Sequence, residues 1–254
     1  MTYPEKEIKN LTNEKLINNI NEFYKEKFIN YIGKTTDTKE YYSEIIASEI
    51  LNKIESFDNI MSIKRESNGK SYLTKSHHDG TFSINEKSNR HEEKFAKQIF
   101  DEKNNYSSMG KIIDFQVPLK NKQSDKAGKI DLISFDKNNS TLYLIELKYG
   151  ENAETLLRTI IEIYTYYKIV DKEKLKNDFK SLLLEASDFE KIIVKPAVML
   201  VKDPKKKHCK SFIELEEIKN GERINLKKIA NKMDITFFKS IDSKDFEIIS
   251  AANL

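Results

Sequence analysis

Two short apolar runs, separated by a polar stretch, constrain the fold more than any other feature of the sequence. The first run covers residues 128–136 and the second covers residues 141–148, and both are rich in residues that favour β-strands. Between them, Asn138, Asn139 and Ser140 are typical of a turn. Because apolar residues occupy both alternating sets of positions, the pattern predicts two neighbouring central strands that are covered on both faces.

Three charged side chains interrupt these apolar runs. Asp131 lies in the first run, and Glu146 and Lys148 lie on one face of the second, since alternate residues of a strand share a face. If the chain turns at residues 137–140, Asp131 lies opposite Glu146 or one position from it. Buried charges are costly unless a metal, a partner charge or a polar cleft offsets them, so we interpret the cluster as functional. The alternative is an Asp131–Lys148 ion pair that ties two strands together, with Glu146 solvated at an edge.

The three side chains also make chemical sense as a metal site. Two converging carboxylates, Asp131 and Glu146, suit a hard divalent cation such as Mg²⁺, with Mn²⁺ as a substitute. Such an ion stabilises charge on a phosphate and lowers the pKa of a bound water. Lys148 would position or deprotonate that water, or stabilise the transition state.

The N-terminal part of the chain reads as mainly helical. Apolar residues at helical spacing predict helices over 13–32, with Thr12 as the N-cap, and over 38–56. Asn68-Gly69 predicts a hairpin between 60–65 and 71–74, and a polar loop follows at 76–90. We therefore expect a helical N-terminal region with a small hairpin over residues 1–88, and a second domain over residues 89–254.

The second domain has a regular order of elements. Its core is predicted to be α-β-β-β-α-β, with the two apolar runs as the second and third strands. The other predicted elements are a helix at 91–101, a strand at 112–119, a helix at 152–170, a polar helical connection at 172–187, a strand at 192–201, helices at 211–219 and 226–232, and strands at 234–239 and 245–249.

This order, with Gly128-x-x-Asp131 and Glu146-Leu-Lys148, resembles the PD-(D/E)XK nuclease superfamily, which includes restriction endonucleases, Holliday-junction resolvases and recombination nucleases. The resemblance covers about residues 90–202. It implies an α/β restriction-endonuclease-like core with a mixed central sheet. It also implies Mg²⁺-dependent hydrolysis of DNA phosphodiester bonds by an endonuclease, in restriction, defence or DNA repair. Asp131, Glu146 and Lys148 would be catalytic, and the backbone carbonyl of Leu147 would be a further metal ligand.

In this family a glutamate from the first core helix often completes the metal site. Glu92 and Glu93 are the candidates here, and Glu92 is preferred because apolar residues at i+3, i+4 and i+7 put it on the buried face. The alternative is that both glutamates only offset the positive N-terminal end of the helix.

Some relatives carry Gln-x-x-x-Tyr on the helix after the lysine, where this chain has Glu162-Ile-Tyr-Thr-Tyr166. The glutamate departs from that motif, and an exposed Arg158–Glu162 pair is the competing interpretation. Gln116, a polar residue in an apolar strand, either faces the site or is a satisfied glutamine of the sheet.

Two basic loops are candidates for binding DNA phosphates without reading sequence. Their alternative role is a solvated surface. The candidate residues are Lys120, Lys122, Lys126 and Lys129 before Asp131, and Lys205, Lys206 and Lys207 after the last core strand. We do not interpret the adjacent His77, His78 and Asp79 as a metal site, because neighbouring loop residues rarely converge on one ion.

Several classes of protein are disfavoured. The sequence has no apolar run long enough for a membrane span and no secretory pattern at its start. Cys209 is the single cysteine, which excludes an internal disulfide and favours a cytoplasmic setting. The net charge of +3 is only a weak indication of a polyanionic partner. The sequence is compatible with a homodimer. The competing function is a non-catalytic nucleic-acid-binding or assembly module on the same fold.

Overall fold

The computed structural model describes residues 2–60, 69–84, 89–120, 128–183, 189–202, 209–242 and 244–254. Within them the chain forms a seven-stranded sheet whose strands lie in chain order. The strands are β1 (Asn105–Tyr106), β2 (Gly110–Pro118), β3 (Lys129–Asp136), β4 (Thr141–Tyr149), β5 (Ile193–Val201), β6 (Thr236–Ser240) and β7 (Glu247–Ser250).

The sheet is mixed, and the fold is of the mixed α/β class. Strands β1 to β4 pair antiparallel, β4–β5 and β5–β6 pair parallel, and β6–β7 pair antiparallel. The helices are α1 (Glu5–Asn18), α2 (Tyr42–Asn52), α3 (Lys75–His78), α4 (His91–Asp101), α5 (Leu156–Ile169), α6 (Lys172–Asp178), α7 (Lys180–Leu183), α8 (Lys210–Lys219) and α9 (Ile224–Lys232). Short 3₁₀ turns lie at 20–25, 27–30, 54–59, 189–191 and 251–253.

The predicted order of core elements is confirmed, with one addition. The chain runs from α4 through β2, β3 and β4 to α5 and then β5, and the two-residue strand β1 precedes β2. Parallel strands need a crossover connection, and α5 to α7 provide it between β4 and β5. Strand β4 is buried at every position except its last, as its uninterrupted apolar pattern predicts.

Apolar clusters cover both faces of the sheet. Ile133 and Leu144 contribute to the larger cluster, which includes α5, α9 and the N-terminal helices. Leu132 and Ile145 contribute to the smaller cluster, which includes the buried face of α4. The alternation along β3 and β4 therefore decides which charged residues face α5.

The N-terminal region differs from the prediction. Helix α1 begins at Glu5, after Pro4 with its helix-compatible φ of −69°, rather than after Thr12. Thr12 is not an N-cap, because it lies inside α1, where its Oγ1 donates to the carbonyl of Ile8 (2.8 Å). The helix ends at Asn18, and Asn19 adopts a non-helical conformation, so 3₁₀ turns replace the rest of the predicted helix.

Three other N-terminal predictions, the second helix, the hairpin and the polar loop, differ from the structure. The second helix covers Tyr42–Asn52 rather than 38–56, and a 3₁₀ turn follows it. Residues 71–74 form no strand, since the backbone of Tyr72 donates to the side chain of Asp178 instead of a sheet partner (2.8 Å). The rest of the predicted hairpin, 61–68, lies outside the described residues. The predicted loop over 76–90 contains the end of α3.

The N-terminal helices pack onto the rest of the fold through a buried glutamate. Glu44 on α2 accepts hydrogen bonds from the backbone N–H groups of Asn225 (2.8 Å) and Leu226 (2.9 Å) at the start of α9. These contacts satisfy donors that a helix leaves unpaired in its first turn. The division of the chain at residue 88 stays a prediction. No described helix combines the length and apolarity that crossing a membrane requires.

Candidate active site

The β3–β4 hairpin brings the three predicted charged residues together. Leu132 pairs with Ile145, so Asp131 and Glu146 follow as the next pair of the antiparallel register. The side chains of Asp131, Glu146 and Lys148 lie on the same face of the sheet as Ile133 and Leu144. This is the face that packs against α5. Glu146 and Lys148 are 5% and 3% exposed, which makes this a buried cluster of charge.

Asp131 is held from two sides. Its Oδ2 accepts from the backbone N–H of Leu147 (3.0 Å), and its Oδ1 accepts from Nε2 of Gln116 (2.8 Å). Gln116 therefore faces the site, and its backbone has a φ of +47°, an unusual value for a residue with a side chain. Burial raises the pKa of Asp131 to about 6, while Lys148 and the Leu147 N–H act in the opposite direction.

Lys148 lies between two carboxylates. Its Nζ is 2.8 Å from Oε1 of Glu146 and 2.6 Å from Oε2 of Glu154, and Glu154 also pairs with Arg158 through its other oxygen (3.1 Å). Burial lowers the pKa of Lys148, but the surrounding carboxylates outweigh this effect and raise it well above its ordinary value. The lysine is therefore protonated, and it is the counter-ion of the cluster.

The alternative interpretation, with Asp131 paired to Lys148 and Glu146 solvated, is wrong in its details, because Lys148 pairs with the buried Glu146. Burial and the neighbouring Asp131 and Glu162 raise the pKa of Glu146 well above its ordinary value.

Glu92 reaches the site from the start of α4. Its Oε1 accepts from the backbone N–H of Tyr149 (3.2 Å) and from Nδ2 of Asn152 (2.5 Å). Burial raises the pKa of Glu92, and the charge of Lys148 opposes that shift. Glu93 instead pairs with Arg90 (3.2 Å) and with a lysine one turn along α4. Of the two candidates, only Glu92 contacts the end of β4.

A cleft of about 580 Å³ opens beside these residues. Glu92, Glu93, Gln116 and Asp131 line it, together with the last residue of β4 and the three that follow it, 149–152. The cleft gives a ligand access to Asp131 and Glu92 from solvent.

Helix α5 forms the wall behind the cluster. Tyr166 donates its hydroxyl to Oε1 of Glu162 (2.7 Å), and the hydroxyl of Tyr24 lies 3.3 Å from that of Tyr166. Burial raises the pKa of Tyr166, so it stays a donor. A Cβ atom at Gly128 would lie 2.0 Å from the Tyr166 hydroxyl, which explains why glycine precedes β3. The exposed Arg158–Glu162 pair is not formed, since Arg158 pairs with Glu154.

Glu154 is a further residue of the site, and it was not among the residues predicted from the sequence. It lies between β4 and α5, where no periodic pattern indicates which way a side chain points. Its one signal is the spacing to Arg158, which suits an i,i+4 ion pair.

The predicted phosphate-binding lysines are only partly described. Lys120 follows β2, Lys129 begins β3, and both are exposed. Lys122, Lys126, Lys205, Lys206 and Lys207 lie outside the described residues. His77 and His78 do not converge with Asp79. Instead, Nδ1 of His77 lies 2.7 Å from Oδ1 of the fully buried Asp114.

The donor chemistry of the cluster fits a hard cation. Carboxylate oxygens of Asp131, Glu146 and Glu92 and a backbone carbonyl are the ligands that Mg²⁺ prefers. Carboxylates outnumber the cationic side chains Lys148 and Arg158 in the cluster. As arranged, however, no three His, Cys, Asp or Glu side chains in the described part of the chain are grouped closely enough to hold a metal ion. The fit therefore rests on donor chemistry and on the excess of carboxyl groups over cationic side chains.

Comparison with known proteins gives no match: no family model fits the chain, and no curated protein and no solved structure is significantly similar to it.

Proposed function

We propose that the chain is a metal-dependent nuclease that hydrolyses DNA phosphodiester bonds on a restriction-endonuclease-like core. The observation that carries the proposal is the convergence of Asp131, Glu146 and Lys148, together with a cleft that Asp131 and Glu92 line. The order of elements from α4 to β5 supports it, because the same order is implied by the PD-(D/E)XK resemblance.

Asp131, Glu146, Glu92 and the carbonyl of Leu147 would hold Mg²⁺, or Mn²⁺ in its place. When bound, the ion neutralises phosphate charge and lowers the pKa of a bound water. The hydrogen bonds from Gln116 and from the Leu147 N–H orient Asp131. Orientation of this kind reduces the reorganisation that catalysis requires.

Lys148 would stabilise negative charge on the phosphate undergoing attack. Its carboxylate neighbours keep it protonated, which supports this electrostatic role over the role of a base that takes a proton from water. Glu154, itself paired with Arg158, would fix the position of the Lys148 ammonium. Lys120 and Lys129 would contact the DNA backbone near the cleft.

A cleavage assay tests the proposal. The wild-type chain should cut labelled duplex DNA when Mg²⁺ or Mn²⁺ is added, and Lys148→Ala should lower the rate by about 100-fold or more. DNA affinity of that variant, measured by fluorescence anisotropy, should change little. Lys232→Ala, a change of an exposed lysine on α9, is the control and should cut normally. The same cleavage assay with single-stranded DNA and with RNA as substrates shows which nucleic acid is preferred.

The competing function is a non-catalytic module that binds nucleic acid or mediates assembly on the same fold. The pairing of Lys148 with both Glu146 and Glu154 favours it, because the lysine is already neutralised without a ligand. A wild-type chain that binds DNA but never cuts it with either ion would support the binding module. Failure to bind DNA at low salt, with self-association in light scattering, would support the assembly module.

A further inference from the structure

A second cavity lies at the opposite end of β2 from the candidate active site. It has a volume of about 450 Å³, within the range of small-molecule sites. The residues that matter for its chemistry are His78, Phe100, Lys103, Asn105, Lys111 and Lys137.

The inner surface of this cavity is apolar and partly aromatic. Phe100, Ile112, Ile113 and Phe135 line it and are buried in the fold. The ring of His78 packs edge-on against Phe100, with ring centroids 5.6 Å apart. A ligand that binds only through its charge would make no favourable contact with this apolar surface.

The rim of the cavity is basic. Lys103, Lys111 and Lys137 line it, and no acidic residue is among its described lining residues. In the part of the chain that the structure describes, neither Lys103 nor Lys111 forms an ion pair. The nearby Asp114 is fully buried, and its carboxylate lies 2.7 Å from Nδ1 of His77 and 3.8 Å from Nε2 of His78, so it offsets the two histidines and not the lysines of the rim.

We propose that this cavity binds a nucleotide. The lysines would contact the phosphate, and the base would lie against Phe100 and His78, since aromatic side chains stack on bases. Asn105 and Ser181 would offer hydrogen bonds to the polar groups of the base or sugar. A free phosphate would leave the aromatic surface unused, and an apolar ligand would leave the lysines unused.

The site is distinct from the candidate active site. Lys111 and Gln116 are five residues apart on β2, which corresponds to about 15 Å. The inference therefore does not rest on the proposed nuclease activity. Two ligands present this chemistry: a free mononucleotide, and one nucleotide within a single-stranded nucleic acid.

Titration of the full-length chain with deoxynucleoside 5′-monophosphates tests the proposal. We expect saturable binding by calorimetry, with a dissociation constant that rises about tenfold or more in Lys103→Glu/Lys111→Glu. Ser181→Trp, which fills the mouth of the cavity without changing charge, should weaken binding similarly. The matched control Lys6→Glu/Lys232→Glu alters two exposed lysines elsewhere and should bind like wild type. Circular dichroism melts establish that each variant is folded.

Three results would overturn the proposal: no binding of any mononucleotide, binding that both cavity variants retain, or inorganic phosphate binding as tightly as the mononucleotides. A single-stranded hexanucleotide distinguishes the two ligands. If it binds more tightly than the mononucleotides and loses affinity in Lys103→Glu/Lys111→Glu, the site takes a unit of a strand. If only the mononucleotides lose affinity, the site takes a free nucleotide.

Discussion

Glu214 makes the stability of this fold depend on pH. This residue of α8 is buried, and its Oε2 accepts a hydrogen bond from the N–H of Leu156 at the start of α5 (2.6 Å). Its Oε1 has no hydrogen-bond partner among the described residues. Burial raises the pKa of Glu214 to about 7, although the Leu156 N–H and Arg223 oppose the shift. The folded chain therefore favours the protonated carboxyl.

The sign and size of the effect follow from this pKa. Because the folded-state pKa lies above the ordinary value of 4.5, the proton stabilises the folded state. This contribution is complete below about pH 4.5 and is lost as the pH rises through about 7. At about 1.4 kcal/mol per pKa unit, the loss between about pH 5 and about pH 9 is at most about 2.5 kcal/mol.

Glu214→Gln should remove that loss, because the amide imitates the protonated carboxyl and stays neutral. Urea denaturation should give the variant a larger free energy of unfolding than wild type, by up to about 3.5 kcal/mol at about pH 9 and by only about 1 kcal/mol at about pH 5. Glu222→Gln, at an exposed position before α9, is the control. An effect of Glu214→Gln that is equal at both pH values would refute the reasoning.

Three further changes test the packing of the site and of the fold. Gly128→Ala should cost about 1–3 kcal/mol in thermal unfolding, because its Cβ would lie 2.0 Å from the Tyr166 hydroxyl, and Tyr166→Phe should recover part of the loss. Glu44→Ala should cost about 2–4 kcal/mol in urea denaturation, because two backbone N–H groups of α9 lose their buried acceptor; a loss below 0.5 kcal/mol would contradict this. If the chain is a nuclease, Glu154→Gln should slow cleavage about tenfold or more by releasing Lys148. The control Glu222→Gln, at an exposed position before α9, should not.

The core was predictable from sequence where the local pattern agrees with the tertiary environment. The apolar runs of β3 and β4 lie where both faces of the sheet are covered, so their pattern gives the strand type, and the turn between them gives the register to within one position. Helix α4 has one apolar face, and its observed bounds match the prediction. Either register brings Asp131, Glu146 and Lys148 together, so their clustering was predictable.

The remainder depends on contacts that no local pattern contains. The N-terminal helices were misplaced because Pro4 and Asn19 set the limits of α1, while the apolar spacing continues past Asn19. Glu154 was missed because its role arises from an ion pair across a connection without periodicity. The basic cavity was missed because the chain segments that line it are far apart in sequence.

Binding of Mn²⁺ shows whether the carboxylates of β3, β4 and α4 form the proposed cation site. Calorimetry on the wild-type chain and on Asp131→Asn, with the exposed Asp245→Asn as control, makes the comparison. We expect saturable binding of Mn²⁺ by wild type and by the control, and loss of that binding in Asp131→Asn. Absence of binding in the wild type, or equal binding in all three proteins, would contradict it.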